Sequence, residues 1–126
     1  DGYYDWRTRS GERHPCLIRP KTGGLIALAG LWEHWLGADG SEIETMAILT
    51  TPSGDHPAGV GDRMPVIIAS ADFDLWLDTG PGVVGEAGRL LHTPPEHVLE
   101  VCEVADLVND PRAEGAELHQ TIKRED

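Results

Sequence analysis

Asp5 is the first residue whose type and setting suggest chemistry. It stands between Tyr4 and Trp6 in a stretch that favours an extended strand, so alternation would send its carboxylate to one face and both aromatic rings to the other. A carboxylate among large apolar groups tends to have a raised pKa and can act as an acid or base near neutral pH. An exposed aspartate on an edge strand is the alternative, and the residues alone leave both open.

A charged pair, Asp62 and Arg63, stands directly before the apolar segment 64–68. An arginine in this position can hold a phosphate through parallel hydrogen bonds, or it can pair with the neighbouring aspartate. Local chemistry leaves these two roles undecided.

The sequence gives little support to metal-dependent catalysis or to catalysis by a serine or cysteine nucleophile. The sequence has no phosphate loop, dinucleotide-binding glycine pattern, zinc-protease helix or nucleophile-elbow serine. His92 and His97 flank two prolines, which deny them a shared helical face, so a metal-dependent hydrolase is the hypothesis to discard first. Cys16 and Cys102 lie in apolar segments and are expected to pack as reduced thiols of a cytoplasmic protein. We expect no metal and no cofactor.

Short strands and turns must position these residues. The pattern predicts a long-loop hairpin from strands 3–6 and 16–19, a central strand over 25–32, further strands over 45–51, 66–68 and 99–104, and helices over 70–77 and 84–91 with Ser70 as N-cap. Residues 52–61 lack periodicity and form a loop of a length that is often functional. No strand-helix unit repeats, so the fold class is α+β with a curved, mainly antiparallel sheet.

Length and composition fit one domain. The chain has 126 residues, 40% of them hydrophobic, which suffices for a single core. We predict one domain over residues 1–120 and a flexible tail over 121–126. No apolar run approaches the ~20 residues that span a bilayer, so we expect no membrane association.

The charge is acidic overall but uneven. Ten Lys and Arg against 22 Asp and Glu give a net charge of -12, which disfavours a general nucleic-acid binder. Half of the basic residues nevertheless lie between positions 7 and 21: Arg7, Arg9, Arg13, Arg19 and Lys21. This stretch is either a contact for a polyanion or a solvated hairpin with basic tips.

Five segments in order resemble the SOS-response-associated peptidase (SRAP) family. They are Asp1-Gly2-Tyr3-Tyr4-Asp5-Trp6, Ala29-Gly30-Leu31-Trp32-Glu33, Ile48-Leu49-Thr50-Thr51, Asp62-Arg63-Met64-Pro65-Val66-Ile67, and Val108-Asn109 through Gly115-Ala116-Glu117-Leu118. Each segment alone is weakly specific, but their combination and order are specific and cover nearly the whole chain.

The resemblance implies a barrel-like fold and a role in the DNA-damage response. Family members bind single-stranded DNA and cross-link covalently to abasic sites. Their nucleophile is an N-terminal cysteine whose amine and thiol capture the opened sugar as a thiazolidine. The word peptidase refers to an inferred autoproteolytic maturation at that cysteine. The expected partner is therefore single-stranded DNA that contains abasic sites.

The resemblance also assigns residues. Asp5 takes the position of the family's catalytic glutamate, and Gly61 takes that of its histidine, so proton transfer at Gly61 is expected to be lost. Thr50 and Arg63 match DNA-contacting positions, and Trp6 is expected to support the site from the core.

Two departures from the family keep a second hypothesis open. The sequence starts at Asp1, so we expect it to be the C-terminal portion of the domain, without the cysteine segment and with its barrel incomplete. Gly61 replaces the histidine, so the alternative is a non-catalytic remnant that binds DNA or a protein weakly. Whether the chain is an enzyme is left open, and self-association through unpaired strand edges is expected.

Overall fold

The computed structural model describes residues 1–123. The chain divides into two compact units. Of the described residues, one unit contains Asp1–Ile26, Pro52–Met64 and residues 95–123, and the other contains Ala27–Thr51 and Pro65–Pro94.

The predicted α+β class is confirmed, with mainly antiparallel strands and short helices. The strands are β1 (Tyr3–Arg9), β2 (Glu12–Pro20), β3 (Ala27–Leu28), β4 (Gly30–Leu36), β5 (Glu42–Ile48), β6 (Thr50–Pro52), β7 (Arg63–Pro65), β8 (Ile67–Ile68) and β9 (Leu99–Glu103). The helices are α1 (Phe73–Leu77) and α2 (Val84–Ala87), with 3₁₀ turns at Ser70–Asp72, Gly88–Leu90, Asp106–Asn109 and Ala116–His119. The strands group into several small sheets, and residues 1–123 form no closed barrel.

A three-stranded antiparallel sheet, in the order β1-β2-β9, organises the first unit. Its central strand is buried on both faces, because Cys16, Leu17 and Ile18 are all at most 1% exposed. The β1–β2 hairpin is longer than predicted and closes at Ser10 and Gly11, both at positive φ. A two-residue turn of this kind matches the twist of its strands. The polar residues on either side of the turn continue the ladder, although their polarity suggested a loop.

The end of the first unit is held by backbone pairing. Thr121 forms a bridge with Val104, and the Ile122 amide donates to the Glu103 carbonyl at 2.8 Å. Residues 124–126 of the predicted tail lie outside the described residues.

The second unit contains the β3–β8 pair and the β4–β5 hairpin. Its core consists of Ala29, Val66 and Ile68. The expectation of one buried central strand over residues 25–32 is wrong, since Leu25 is 87% exposed and Trp32 is 74% exposed. The chain changes partner at Ala29, whose amide donates to the Val66 carbonyl while its own carbonyl accepts from Leu49, both at 2.8 Å. An apolar run does not show where a strand changes partner.

The first helical segment begins differently from the prediction. Ser70 lies inside a 3₁₀ turn that follows Ala69, and α1 begins after Asp72 without a side-chain capping bond. The expected Ser70 N-cap is therefore wrong. None of the helices in residues 1–123 has the length and apolar character that crossing a bilayer would require.

Candidate functional site

Strand β1 places Asp5 and its aromatic neighbours on opposite faces of the sheet, as alternation predicts. The Tyr4 hydroxyl donates to the Leu118 carbonyl at 3.3 Å, and the Trp6 indole N–H donates to Asn109 Oδ1 at 2.7 Å. The Asp5 carboxylate lies on the other side, against Gly61.

Asp5 and Gly61, far apart in sequence, meet in space. A Cβ atom added at Gly61 would lie 3.2 Å from Asp5 Oδ2 and 3.6 Å from Oδ1. Asp5 Oδ1 also accepts the Trp6 backbone N–H at 2.8 Å, which fixes the carboxylate on its own strand. The structure thus brings together the positions that the resemblance assigns to a carboxylate and to its proton-transfer partner.

Gly61 is positioned by a tightly closed loop within the first unit. The Ser53 amide donates to the Asp62 carbonyl at 2.9 Å and closes the loop at its base. Inside it, the His56 amide donates to the Ser53 carbonyl and the Gly59 amide donates to the His56 carbonyl. A Cβ atom at Gly59 would lie 2.7 Å from the Ser53 Cβ, so the close approach requires glycine there.

His56 takes part in this loop through its ring. Its Nδ1 atom accepts the Ala58 backbone N–H at 3.0 Å, which leaves the proton of the neutral ring on Nε2. The imidazole therefore supports the loop backbone.

Tyr3 and Cys16 share the sheet face of Asp5. Cys16 is directly opposite Asp5 in the β1–β2 register, and Tyr3 is two residues before it on the same strand. Burial, followed by the negative charge of Asp5, raises the pKa of Tyr3 to about 12. The Tyr3 hydroxyl is buried and has no hydrogen-bond partner within the described residues.

The two thiols of the chain are poor nucleophiles. Burial raises the pKa of Cys16, which is 0% exposed, although the positive charge of Arg7 opposes the shift. Burial also raises the pKa of the half-buried Cys102. Since the thiolate is the reactive form, both residues fit the packing role predicted for them.

Arg63 and Thr50 each begin a short strand and are exposed. Arg63 begins β7, followed by Met64, which is only 2% exposed and anchors the strand in the first unit. Thr50 begins β6 and belongs to the second unit. Their DNA-contacting roles remain predictions.

The histidines are not gathered into a metal site in the described part of the chain. No group of three or more His, Cys, Asp or Glu side chains there is arranged to hold an ion. His92 Nδ1 lies 2.8 Å from the Thr93 carbonyl oxygen, next to it in sequence.

Two contacts of Trp6 were missed by the local sequence analysis. Asn109 accepts its indole N–H, and the Arg13 guanidinium carbon lies 5.7 Å from the centre of its ring. Asn109 belongs to one of the five segments that carry the family resemblance, and this membership was the only feature in the sequence analysis that pointed to it. These contacts support β1 from the face opposite to Asp5.

The family model for SOS response associated peptidase (SRAP) matches residues 1–111. The chain belongs to the SRAP family. It is 34% identical over 119 residues to the abasic site processing protein YoaM of Bacillus subtilis, covering 94% of this chain and 52% of that protein. The abasic site processing protein HMCES of Mus musculus is 26% identical over 139 residues, covering 89% of this chain and 39% of that protein.

Two solved structures have a similar fold. A crystal structure of a Bacteroides thetaiotaomicron protein matches with a TM-score of 0.77 at 22% identity, covering 96% of this chain and 54% of that one. A Bordetella bronchiseptica protein matches with a TM-score of 0.68 at 27% identity, covering 83% and 52%. The chain thus spans about half the length of the Bacillus protein and of these two structures.

Proposed function

We propose that this chain contributes the acid–base half of a protein that processes abasic sites in single-stranded DNA. The observation that carries the proposal is the contact between Asp5 and Gly61, where a Cβ would lie 3.2 Å from the carboxylate. The resemblance assigns both positions to catalysis. Relatives in bacteria and mammals that carry the name abasic site processing protein support the same substrate.

The Asp5 carboxylate would move protons on the sugar. An abasic deoxyribose is a cyclic hemiacetal, so opening it requires a proton to leave the C1′ hydroxyl and one to reach the ring oxygen. A carboxyl group at contact distance performs both transfers. Asp5 has its Oδ1 occupied by the Trp6 amide, whereas its Oδ2 lies toward Gly61, where an added Cβ would be closest.

The covalent step would use the N-terminal cysteine that the resemblance implies for the full-length protein. Its amine condenses with the aldehyde and releases water, and its thiol then adds to the resulting imine to close a thiazolidine. The autoproteolytic maturation implied by the family name would expose that amine. Cys16 and Cys102 have no part in this step, because their nitrogen atoms lie in peptide bonds and burial raises the pKa of both thiols.

Arg63 and Thr50 would hold the DNA strand. Both side chains are exposed and begin short strands. A guanidinium binds phosphate oxygens and a hydroxyl adds a further hydrogen bond, which positions the strand without reading its sequence.

A denaturing-gel assay tests the proposal. The full-length protein is incubated with a single-stranded oligonucleotide that contains one abasic site, beside the same oligonucleotide undamaged. The expected result is a slow-migrating covalent band with the abasic strand alone. Absence of that band, with the protein folded and its N-terminal cysteine intact, would contradict the proposal.

A second candidate function is supported by the missing side chain at Gly61. Without an imidazole there, the protein would bind DNA or a protein partner weakly and form no cross-link. The Gly61→His variant separates the two functions, because its imidazole would restore the proton-transfer group that the resemblance assigns to this position, and its Cβ, 3.2 Å from Asp5 Oδ2, requires that neighbour to give by a few tenths of an ångström. A band from Gly61→His but none from the unmodified protein would favour the non-catalytic function.

A further inference from the structure

The basic stretch of the β1–β2 hairpin is mostly engaged in internal contacts. Arg9 pairs with Glu103 at 3.3 Å, and Arg19 pairs with Glu100 at 2.7 Å. Arg13 lies over the Trp6 ring on the face opposite to Asp5. These arginines therefore have structural partners.

Arg7 is different from these arginines. It lies two residues after Asp5 on β1, and hence on the same face of the sheet. It is half-buried, and it makes no ion pair with any acidic group in residues 1–123. Cys16, directly opposite Asp5 in the β1–β2 register, lies on this same face, and the positive charge of Arg7 opposes the rise that burial causes in the pKa of its thiol.

His14 supplies a second hydrogen-bond donor beside Arg7. It is the direct partner of Arg7 in the β1–β2 register, so both side chains project from one face. With a rise of ~3.4 Å per residue along the strand, this pair lies about 7 Å from Asp5. That spacing suits a phosphate attached to a sugar whose C1′ carbon is held at Asp5.

We propose that Arg7, together with His14 across from it, binds the DNA phosphate adjacent to the abasic residue. The inference rests on the proposed function, because Asp5 defines where the sugar lies. The negative charge of Asp5 disfavours a phosphate at its own position, and the cation of Arg7 favours one next to it. The contact orients the strand and reads no base.

Fluorescence anisotropy tests this phosphate site without the covalent step. The probe is a labelled single strand with a tetrahydrofuran abasic analogue, which cannot open to an aldehyde. Binding to the full-length protein is measured over a series of salt concentrations. Arg7→Gln is expected to weaken binding about tenfold at low salt and to reduce the slope of log K against log salt by about 0.7, the value for one phosphate contact on a single strand.

Two control variants make the result specific. Arg112→Gln removes an exposed arginine that pairs with the nearby Asp110, and Arg13→Gln removes a cation from the opposite face. Both should keep the wild-type salt slope. An unchanged slope for Arg7→Gln, or an equal loss in Arg13→Gln, would overturn the proposed phosphate site.

A charge-neutral probe locates the phosphate. A methylphosphonate replaces the phosphate next to the abasic analogue, and binding is compared for wild type and Arg7→Gln. The wild type should bind the methylphosphonate probe more weakly than the phosphate probe, whereas Arg7→Gln should bind the two probes equally. Such non-additivity is expected when the arginine contacts that phosphate directly. Additive losses would refute the contact. If the wild type binds neither probe, the proposed function itself fails, and this inference fails with it.

Discussion

The Tyr3 hydroxyl is a buried polar group whose removal should stabilise the protein. It has no hydrogen-bond partner in the described residues, and burial together with the charge of Asp5 raises its pKa to about 12. An unsatisfied buried hydroxyl costs about 1–3 kcal/mol. Tyr3→Phe deletes this group and keeps the ring, so the free energy of unfolding at pH 7 should rise by about 1 kcal/mol.

The same residue predicts a loss of stability in alkaline solution. Between pH 10.0, the ordinary pKa of tyrosine, and about pH 12, the unfolded chain releases the Tyr3 proton and the folded chain keeps it. The unfolded state then binds fewer protons, so stability falls as pH rises through this window. The loss is at most about 3 kcal/mol for the wild type, and Tyr3→Phe should lack it.

Urea unfolding followed by tryptophan fluorescence at pH 7, 9, 10.5 and 11.5 measures both effects. Tyr4→Phe is the matched control, because the Tyr4 hydroxyl donates to the Leu118 carbonyl and its loss should lower stability at pH 7 by about 1 kcal/mol. The reasoning is refuted if Tyr3→Phe destabilises the protein at pH 7, or if its stability falls with pH as steeply as that of the wild type.

Three further predictions follow from the contacts of the first unit. Gly59→Ala should destabilise the protein by about 1–3 kcal/mol, because a Cβ there would lie 2.7 Å from the Ser53 Cβ and 3.0 Å from the His56 carbonyl oxygen, whereas Gly61→Ala should cost less than about 1 kcal/mol. Chemical denaturation compares the two variants, and equal losses would contradict the loop geometry. Asn109→Ala removes the acceptor of the Trp6 indole N–H and should lower the free energy of unfolding by about 1 kcal/mol. A thermal melt should show a lower melting temperature, and an unchanged one would contradict the prediction. A thiol reagent should modify Cys102 in the folded protein and Cys16 only after unfolding; rapid modification of both would show that Cys16 is accessible.

Local sequence patterns predicted the orientation of Asp5 but not its neighbour. Alternation along β1 correctly separated the carboxylate from Tyr4 and Trp6. Gly61 has no side chain to signal a role, and it reaches Asp5 only because the 53–62 loop closes through backbone hydrogen bonds. The family resemblance marked both positions, but their distance required the structure.

The incorrect predictions share a physical origin in backbone pairing. The apolar run from Leu25 satisfied the pattern of a buried strand, yet Ala29 exchanges one partner strand for another. Ser70 has good capping chemistry, but the chain enters a 3₁₀ turn before α1 begins. Where a strand changes partner and where a helix begins depend on backbone carbonyl and amide groups that are distant in sequence. The types of the neighbouring side chains do not show these positions.

The rate of covalent capture in an isosteric Asp5 variant tests the central claim most directly. Full-length wild type, Asp5→Asn and the control Asp110→Asn, whose carboxylate pairs with Arg112, are compared under single-turnover conditions with abasic single-stranded DNA. Asp5→Asn keeps the oxygen that accepts the Trp6 amide and loses the proton-transfer group. The account predicts a rate about 100-fold lower for Asp5→Asn and unchanged for Asp110→Asn. Equal rates for all three proteins would contradict it.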